Sequence, residues 1–180
     1  QALLNLRDWQ GLTNIMKELR KYADDPAVQL AFEKQVAQQR FASPNNTDES
    51  LGVLFRRLSD SLKSDPELVA DYCRRVRDDK HVESLLRSTI KHQWHDLLVV
   101  AYGHAGKETL GKRLKTAQGW QKTHPDNWAL QSCLGQLYEA SGVKDEAKTA
   151  FEKSLNLMPS VLAHEKLAKL LAFDGEYARS

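Results

Sequence analysis

With 26 basic against 24 acidic residues in 180, the chain gives no case for the basic face that nucleic-acid binding uses. Its 41% of hydrophobic and 28% of charged residues suit one or two packed cores and exclude a disordered chain. The longest apolar run, near Leu97 to Tyr102, is too short to span a membrane.

From the first residues, Trp9, Leu12, Ile15, Met16 and Leu19 recur at three- and four-residue spacing and predict a helix over 6–22. Asp25-Pro26 stops it and starts another, with Asp25 as N-cap and Pro26 in the first turn, burying Val28, Phe32 and Val36 as far as about Arg40. Ser43 to Asp48 is the most loop-like stretch and the expected mobile segment. A third helix is predicted over 49–63 on the stripe Leu51, Leu54, Phe55, Leu58 and Leu62. Asp65-Pro66 then repeats the Asp-Pro start and leads into Leu68, Val69, Tyr72, Cys73 and Val76. Val82, Leu85, Leu86 and Ile90 mark a helix over 81–91, and Trp94 to Tyr102 the next. No stretch alternates with period two, so the chain reads as all-α. Short helices with brief connections bury their apolar faces by stacking on neighbours, which is the logic of a solenoid.

From Trp128 to Pro159 the residues fall at fixed offsets: Leu134-Gly135, Tyr138, Gly142, Ala147, Phe151 and Pro159. This stretch resembles one complete tetratricopeptide repeat. Gly135 and Ala147 are small enough to let two antiparallel helices approach, Tyr138 and Phe151 fill the space beside them, Gly142 caps the first helix and Pro159 ends the second. The pattern recurs 33 residues on, with Leu167, Ala168 and Gly175, in a shortened repeat. One repeat earlier, from about Trp94 to Pro125, it is degenerate: Ala101 keeps the small place, His104 replaces the aromatic and Arg113 the small residue, with the turn moved near Gly103 to Gly106. Degenerate hairpins are therefore expected over 1–93 and tetratricopeptide repeats over 94–180, in a superhelix of about five hairpins.

Candidate chemistry is sparse. His92, His95 and His104 lack a partner at metal-ligand spacing and read as surface or partly buried histidines. Cys73 and Cys133 belong to no Cys-x-x-Cys pair and read as reduced, buried thiols. Asp78-Asp79 reads as a capping pair at a helix end, and Arg74-Arg75-Val76-Arg77 and Lys112-Arg113-Leu114-Lys115 as solvated helix faces. Trp9, Trp94, Trp120 and Trp128 read as interhelix packing. No phosphate-cradling glycine loop or nucleophile elbow is present, so the chain reads as a non-enzyme with no metal and no cofactor.

Gln93 to Gly103, Gly119-Trp120, His124-Pro125, Leu134-Gly135, Asp8-Trp9, Asp65 to Val69 and Ala163 to Ala168 together resemble the C-terminal part of the HemY family. These are bacterial inner-membrane proteins with tetratricopeptide repeats, linked to late protoheme synthesis. The resemblance implies a membrane hairpin upstream and a soluble helical part facing the cytoplasm. Gln1 in place of Met fits a fragment, with the partner of the Trp9 helix expected upstream. The unrelated flavin-dependent porphyrinogen oxidase of the same name is rejected because no Gly-x-Gly-x-x-Gly follows a strand. Two functions follow: a scaffold whose concave groove binds a protein such as a haem-synthesis enzyme, or a carrier that binds porphyrin or haem directly. By the offsets of the repeat, the groove is expected at Ala129, Ser132, Gln136 and Glu139, at Leu162, Glu165 and Lys169 one repeat later, and at His95, Leu98 and Tyr102 one repeat earlier.

Overall fold

The structure, a computed structural model, describes residues 25–104, 106–159 and 161–173, with the side chains of 162 and 171–173 left aside. The Trp9 helix and Gly175 lie outside the described residues. Among the described residues every regular element is a helix, and no helix is long and apolar enough to cross a membrane. The chain forms two compact units, Gln1–Arg77 and Asp78–Ser180. The division falls between Arg77 and Asp78, where the sequence expectation set it at 93/94.

In the first unit, α1 (Pro26–Phe41) and α4 (Pro66–Arg75) both begin on the Asp-Pro device. The Asp25 carboxylate accepts from the Ala27 amide at 2.8 Å, and Asp65 accepts from Glu67 and Leu68, each at 3.0 Å. These bonds satisfy amides that have no partner within the helix. α1 packs on α4 and on α2 (Asp48–Arg56), and α2 and the short α3 (Asp60–Lys63) also pack on α4. Val36, Phe41, Leu51, Leu62, Leu68, Val69, Tyr72 and Cys73 are buried, and the Phe55 ring stacks on Tyr72 with centroids 4.3 Å apart.

Three local expectations change here. Val28 is 53% exposed rather than buried, since it lies on the first turn of α1. The helix predicted over 49–63 breaks after Arg56, because Ser59 takes an extended conformation (φ −63°, ψ 158°) and Ser59-Asp60 starts a helix of its own. A local start signal thus overrides an unbroken apolar stripe. The 43–48 segment is fastened at both ends. Asn46 Nδ2 donates to the carbonyls of Arg40 and Phe41, at 2.7 and 3.1 Å, and Thr47 forms a capping box with Ser50.

The second unit contains α5 (Asp79–His92), α6 (Asp96–Gly103), α7 (Leu110–Trp120), α8 (Trp128–Ala140), α9 (Lys144–Leu157) and α10 (Val161–Phe173). α8 is its axis, with α6, α7 and α9 all packed against it, and every residue from Ala129 to Leu137 is buried. α5 packs on α6, and α10 on α9.

The α8–α9 hairpin has the close approach that its small residues predict. A Cβ on Gly135 would lie 2.6 Å from Phe151 Cε1, so the ring occupies the space that glycine leaves. Gly142 takes φ +78°, its amide donates to the Glu139 carbonyl and the Val143 amide to that of Tyr138, each at 3.0 Å. Those two bonds are the Schellman pattern, and the left-handed residue reverses the chain without strain. At the far end Ser154 Oγ donates to the Trp128 carbonyl at 2.9 Å, closing the hairpin. Ala147, Phe151, Ala163 and Leu170 carry the core on into α10.

Candidate functional site

The expected groove residues separate into two groups. Ala129, Ser132, Leu98 and Tyr102 are fully buried and Gln136 is 5% exposed, so these five belong to the interior of the second unit. The reason lies in Gly103, which was read only as a turn residue. A Cβ there would meet the Cys133 Cα at 3.0 Å and the Gln136 side chain at 3.0 Å, so α6 lies directly on the α8 face that carries Ser132 and Gln136. His95 is the N-cap of α6, its Nδ1 accepting from the Leu97 amide at 3.3 Å. The Leu162 side chain lies outside the described residues.

Glu139, Glu165 and Lys169 come together on the surface. Lys166 of α10 donates to Glu139 at the end of α8 across 2.8 Å, and Lys169 pairs with Glu165 one turn away. The Lys169 hydrogen bond draws the Glu165 carboxyl below its ordinary range. The Glu165 bond and charge, with a further contribution from Glu139, in turn raise the Lys169 amine. Four charges of alternating sign thus run between α8 and α10. The Glu165–Lys169 pair is exposed and the Glu139–Lys166 pair half-buried, each of its side chains keeping 29% of its exposure, so water screens both and exchanging partners costs little.

Beneath the α6–α7 turn lies a polar cluster that the sequence reading missed. Asp79 does not cap its helix; Asp78 does, accepting from the His81 amide at 3.0 Å. Asp79 instead accepts from the Gly106 amide (3.1 Å), the Thr109 amide (2.8 Å), the Thr109 hydroxyl (2.9 Å) and Arg113 Nη2 (2.9 Å). Arg113, read as part of a solvated basic face, has no exposure at all. The guanidinium instead lies beneath the turn, bonded on three sides. Its Nη1 donates to the Tyr102 carbonyl at 2.9 Å and its Nε to Thr109 Oγ1 at 2.9 Å. One turn along α5, the buried Glu83 accepts from the Tyr102 hydroxyl (3.0 Å), Arg87 (2.9 Å) and Lys112.

Burial pushes the Asp79 carboxyl up, but the Thr109 hydroxyl, the two amides and Arg113 outweigh it and hold it below the usual range. Glu83 is held low in the same way by Lys112, Tyr102 and Arg87 against its burial. Burial pushes the Tyr102 hydroxyl and the Cys133 thiol well up, so both are neutral and neither is a nucleophile. Both cysteines are buried, and neither is in a disulfide. The signal that could have found the cluster is a charged residue, Arg113, where the resemblance to the repeat leads one to expect a small one.

The aromatic residues of this unit pack on one another. Trp94 stacks on His124 with centroids 3.6 Å apart and meets Trp120 edge-on at 5.7 Å, while Trp120 lies 4.9 Å from Tyr102. Trp128 Nε1 donates to Asp96 at 2.9 Å, beside Asn127 at 2.8 Å, tying the starts of α6 and α8 together. Among the described residues no group of histidine, cysteine and carboxylate side chains is arranged to hold a metal ion. Comparison of the chain with protein-family models, with curated proteins and with solved structures finds no match.

Proposed function

We propose that the chain is a non-catalytic interaction scaffold, in which a tetratricopeptide-like stack presents the Glu139–Lys166 and Glu165–Lys169 pairs to an extended or helical peptide of a partner protein. The observation that carries this reading is the Lys166–Glu139 pair, which joins residues 27 apart and brings charges from α8 and α10 together. Alternating charges whose present pairs are weak suit a partner that offers its own alternating charges, since each exchange trades one solvent-screened ion pair for another. The resemblance to the HemY family suggests the setting: a domain attached to the inner membrane that holds enzymes of late haem synthesis near one another.

The test is affinity capture from bacterial membranes with the chain as bait, comparing the parent with the Glu139→Lys, Lys169→Glu double variant. Capture of the same partner should fall several-fold while helical circular dichroism is unchanged. Equal capture by the two proteins moves the binding face elsewhere. A Soret-band titration distinguishes the carrier reading: a saturable, stoichiometric shift would replace the scaffold with a porphyrin-binding domain.

A further inference from the structure

In the first unit, two adjoining cavities share a wall made by Arg40 of α1 and Leu54 and Arg57 at the end of α2. The smaller, about 110 Å³, is floored by Val36, Ala37, Phe41, Leu58 and Leu62, with Glu33 and Ser59 on its rim. The larger, about 560 Å³, opens along the 43–50 segment. An empty apolar cavity of about 150 Å³ takes a benzene ring, so the smaller one takes an apolar body of roughly four or five carbons.

The two arginines are the unusual feature. Half-buried Arg40 makes no side-chain hydrogen bond or ion pair among the described residues, and the charge nearest to influencing it is another cation, Arg57. Burial pulls the Arg40 guanidinium below its ordinary value, and Arg57 adds to this. Arginines brought out of water are ordinarily paired, because an unmatched charge is costly to desolvate. Elsewhere in this unit the pattern is kept: Lys34 pairs with Asp65 and Glu67, and Arg75 with Asp71. Glu33 on the rim has an interaction of its own and does not register in the charge around Arg40.

We propose that this cavity binds a small organic carboxylate, its carboxyl group held at the shared wall by Arg40 and Arg57 and its apolar body lying against Val36, Phe41 and Leu58. Guanidinium forks match a carboxylate in plane and charge, and a carboxylate on this wall would supply the counter-ion that the two lack among the described residues. The site lies wholly in the first unit and is independent of the scaffold reading, which rests on the second.

The experiment is an amide chemical-shift titration of the full chain with pentanoate, against the neutral pentanamide and inorganic phosphate. Pentanoate should give saturable shifts at 36–41 and 54–62, with at least tenfold weaker binding of the other two probes. Arg40→Gln and Arg57→Gln should each weaken pentanoate at least tenfold while leaving the circular dichroism intact. Neither removes a structural pair, so neither should lower the melting temperature. If Arg40→Gln fails to fold, the exposed Arg57 carries the test alone. No saturable shift with pentanoate, equal binding of pentanamide or of phosphate, or undiminished binding by the folded variants would each overturn the proposal.

Discussion

Asp79→Ala is the most informative perturbation of the second unit. It removes the acceptor for two amides, a hydroxyl and the guanidinium of a residue with no exposure. Breaking a buried ion pair by deleting one partner costs about 3–5 kcal/mol, since the remaining charge stays out of water. The Asp79 side chain keeps 12% of its own exposure, so the freed amides of the turn can reach solvent and add little beyond that range. Against a typical domain stability of about 5–15 kcal/mol the loss is a large fraction. At about 4–8 °C per kcal/mol for a domain of this size, it should lower the melting temperature by at least about 12 °C. Urea unfolding followed by tryptophan fluorescence, in a Trp9→Phe background so that Trp94, Trp120 and Trp128 report, measures it directly. Arg113→Met alone should be costly as well, but Asp79→Ala with Arg113→Met should recover at least about 2 kcal/mol relative to the sum, because no orphan charge remains. A loss below about 1 kcal/mol for Asp79→Ala, or strict additivity of the pair, would refute this account of the cluster. The pH dependence has a definite sign. The folded carboxyl lies below its unfolded value near 3.8, so its contribution is fully present above about pH 4 and is lost as pH falls through the folded value. Asp79→Ala should lack that part of the acid limb.

Gly135→Ala should destabilise by about 1–3 kcal/mol despite alanine's better helix propensity, since its Cβ meets the Phe151 ring at 2.6 Å. Gly111→Ala, where a Cβ meets nothing within 4 Å, is the matched control and should be neutral or stabilise by up to about 1 kcal/mol; both are read as shifts in urea midpoint. Ser132→Ala should be neutral or stabilising by up to about 1 kcal/mol, because the buried Ser132 hydroxyl has no hydrogen-bond partner among the described residues. A clear loss of stability in the same assay would mean that the hydroxyl is used. Arg87→Ala should cost less than Tyr102→Phe: both bond Glu83, but Arg87 keeps 43% of its side chain in water while the Tyr102 hydroxyl is sealed. The reverse order of melting temperatures would place the buried end of that network elsewhere.

Local rules made much of the fold legible. Asp25-Pro26, Asp65-Pro66 and Gly142 act through bonds to residues within five positions, so the sequence holds both partners of each interaction side by side. Of the stripe Leu68, Val69, Tyr72, Cys73 and Val76, the first four are buried as their spacing predicts, and Val76, at the helix's C-cap, is only half-buried. What could not be seen was where a long polar side chain ends up. Asp78 and Asp79 are neighbours of one type, yet one caps its own helix and the other bonds residues 27 to 34 positions away. Arg113 sits in a run of basic residues whose other members face water. The expected groove was misplaced in part for the same reason: offsets from a regular repeat assume a regular neighbour, and Gly103 lets α6 close over Ser132 and Gln136.

Repeat arrays are usually thought of as strings of interchangeable modules that can be cut, shuffled or extended at any seam. In this chain the Asp79–Arg113 pair rules out a cut at 93/94, because a piece starting at Trp94 would carry a cation into its own interior with the counter-ion left behind on the discarded piece. The smallest transplantable piece of the second unit therefore begins at Asp78. At the other end, the Lys166–Glu139 pair that crosses from α8 to α10 keeps 29% of each side chain in water, so a cut there strands no sealed charge.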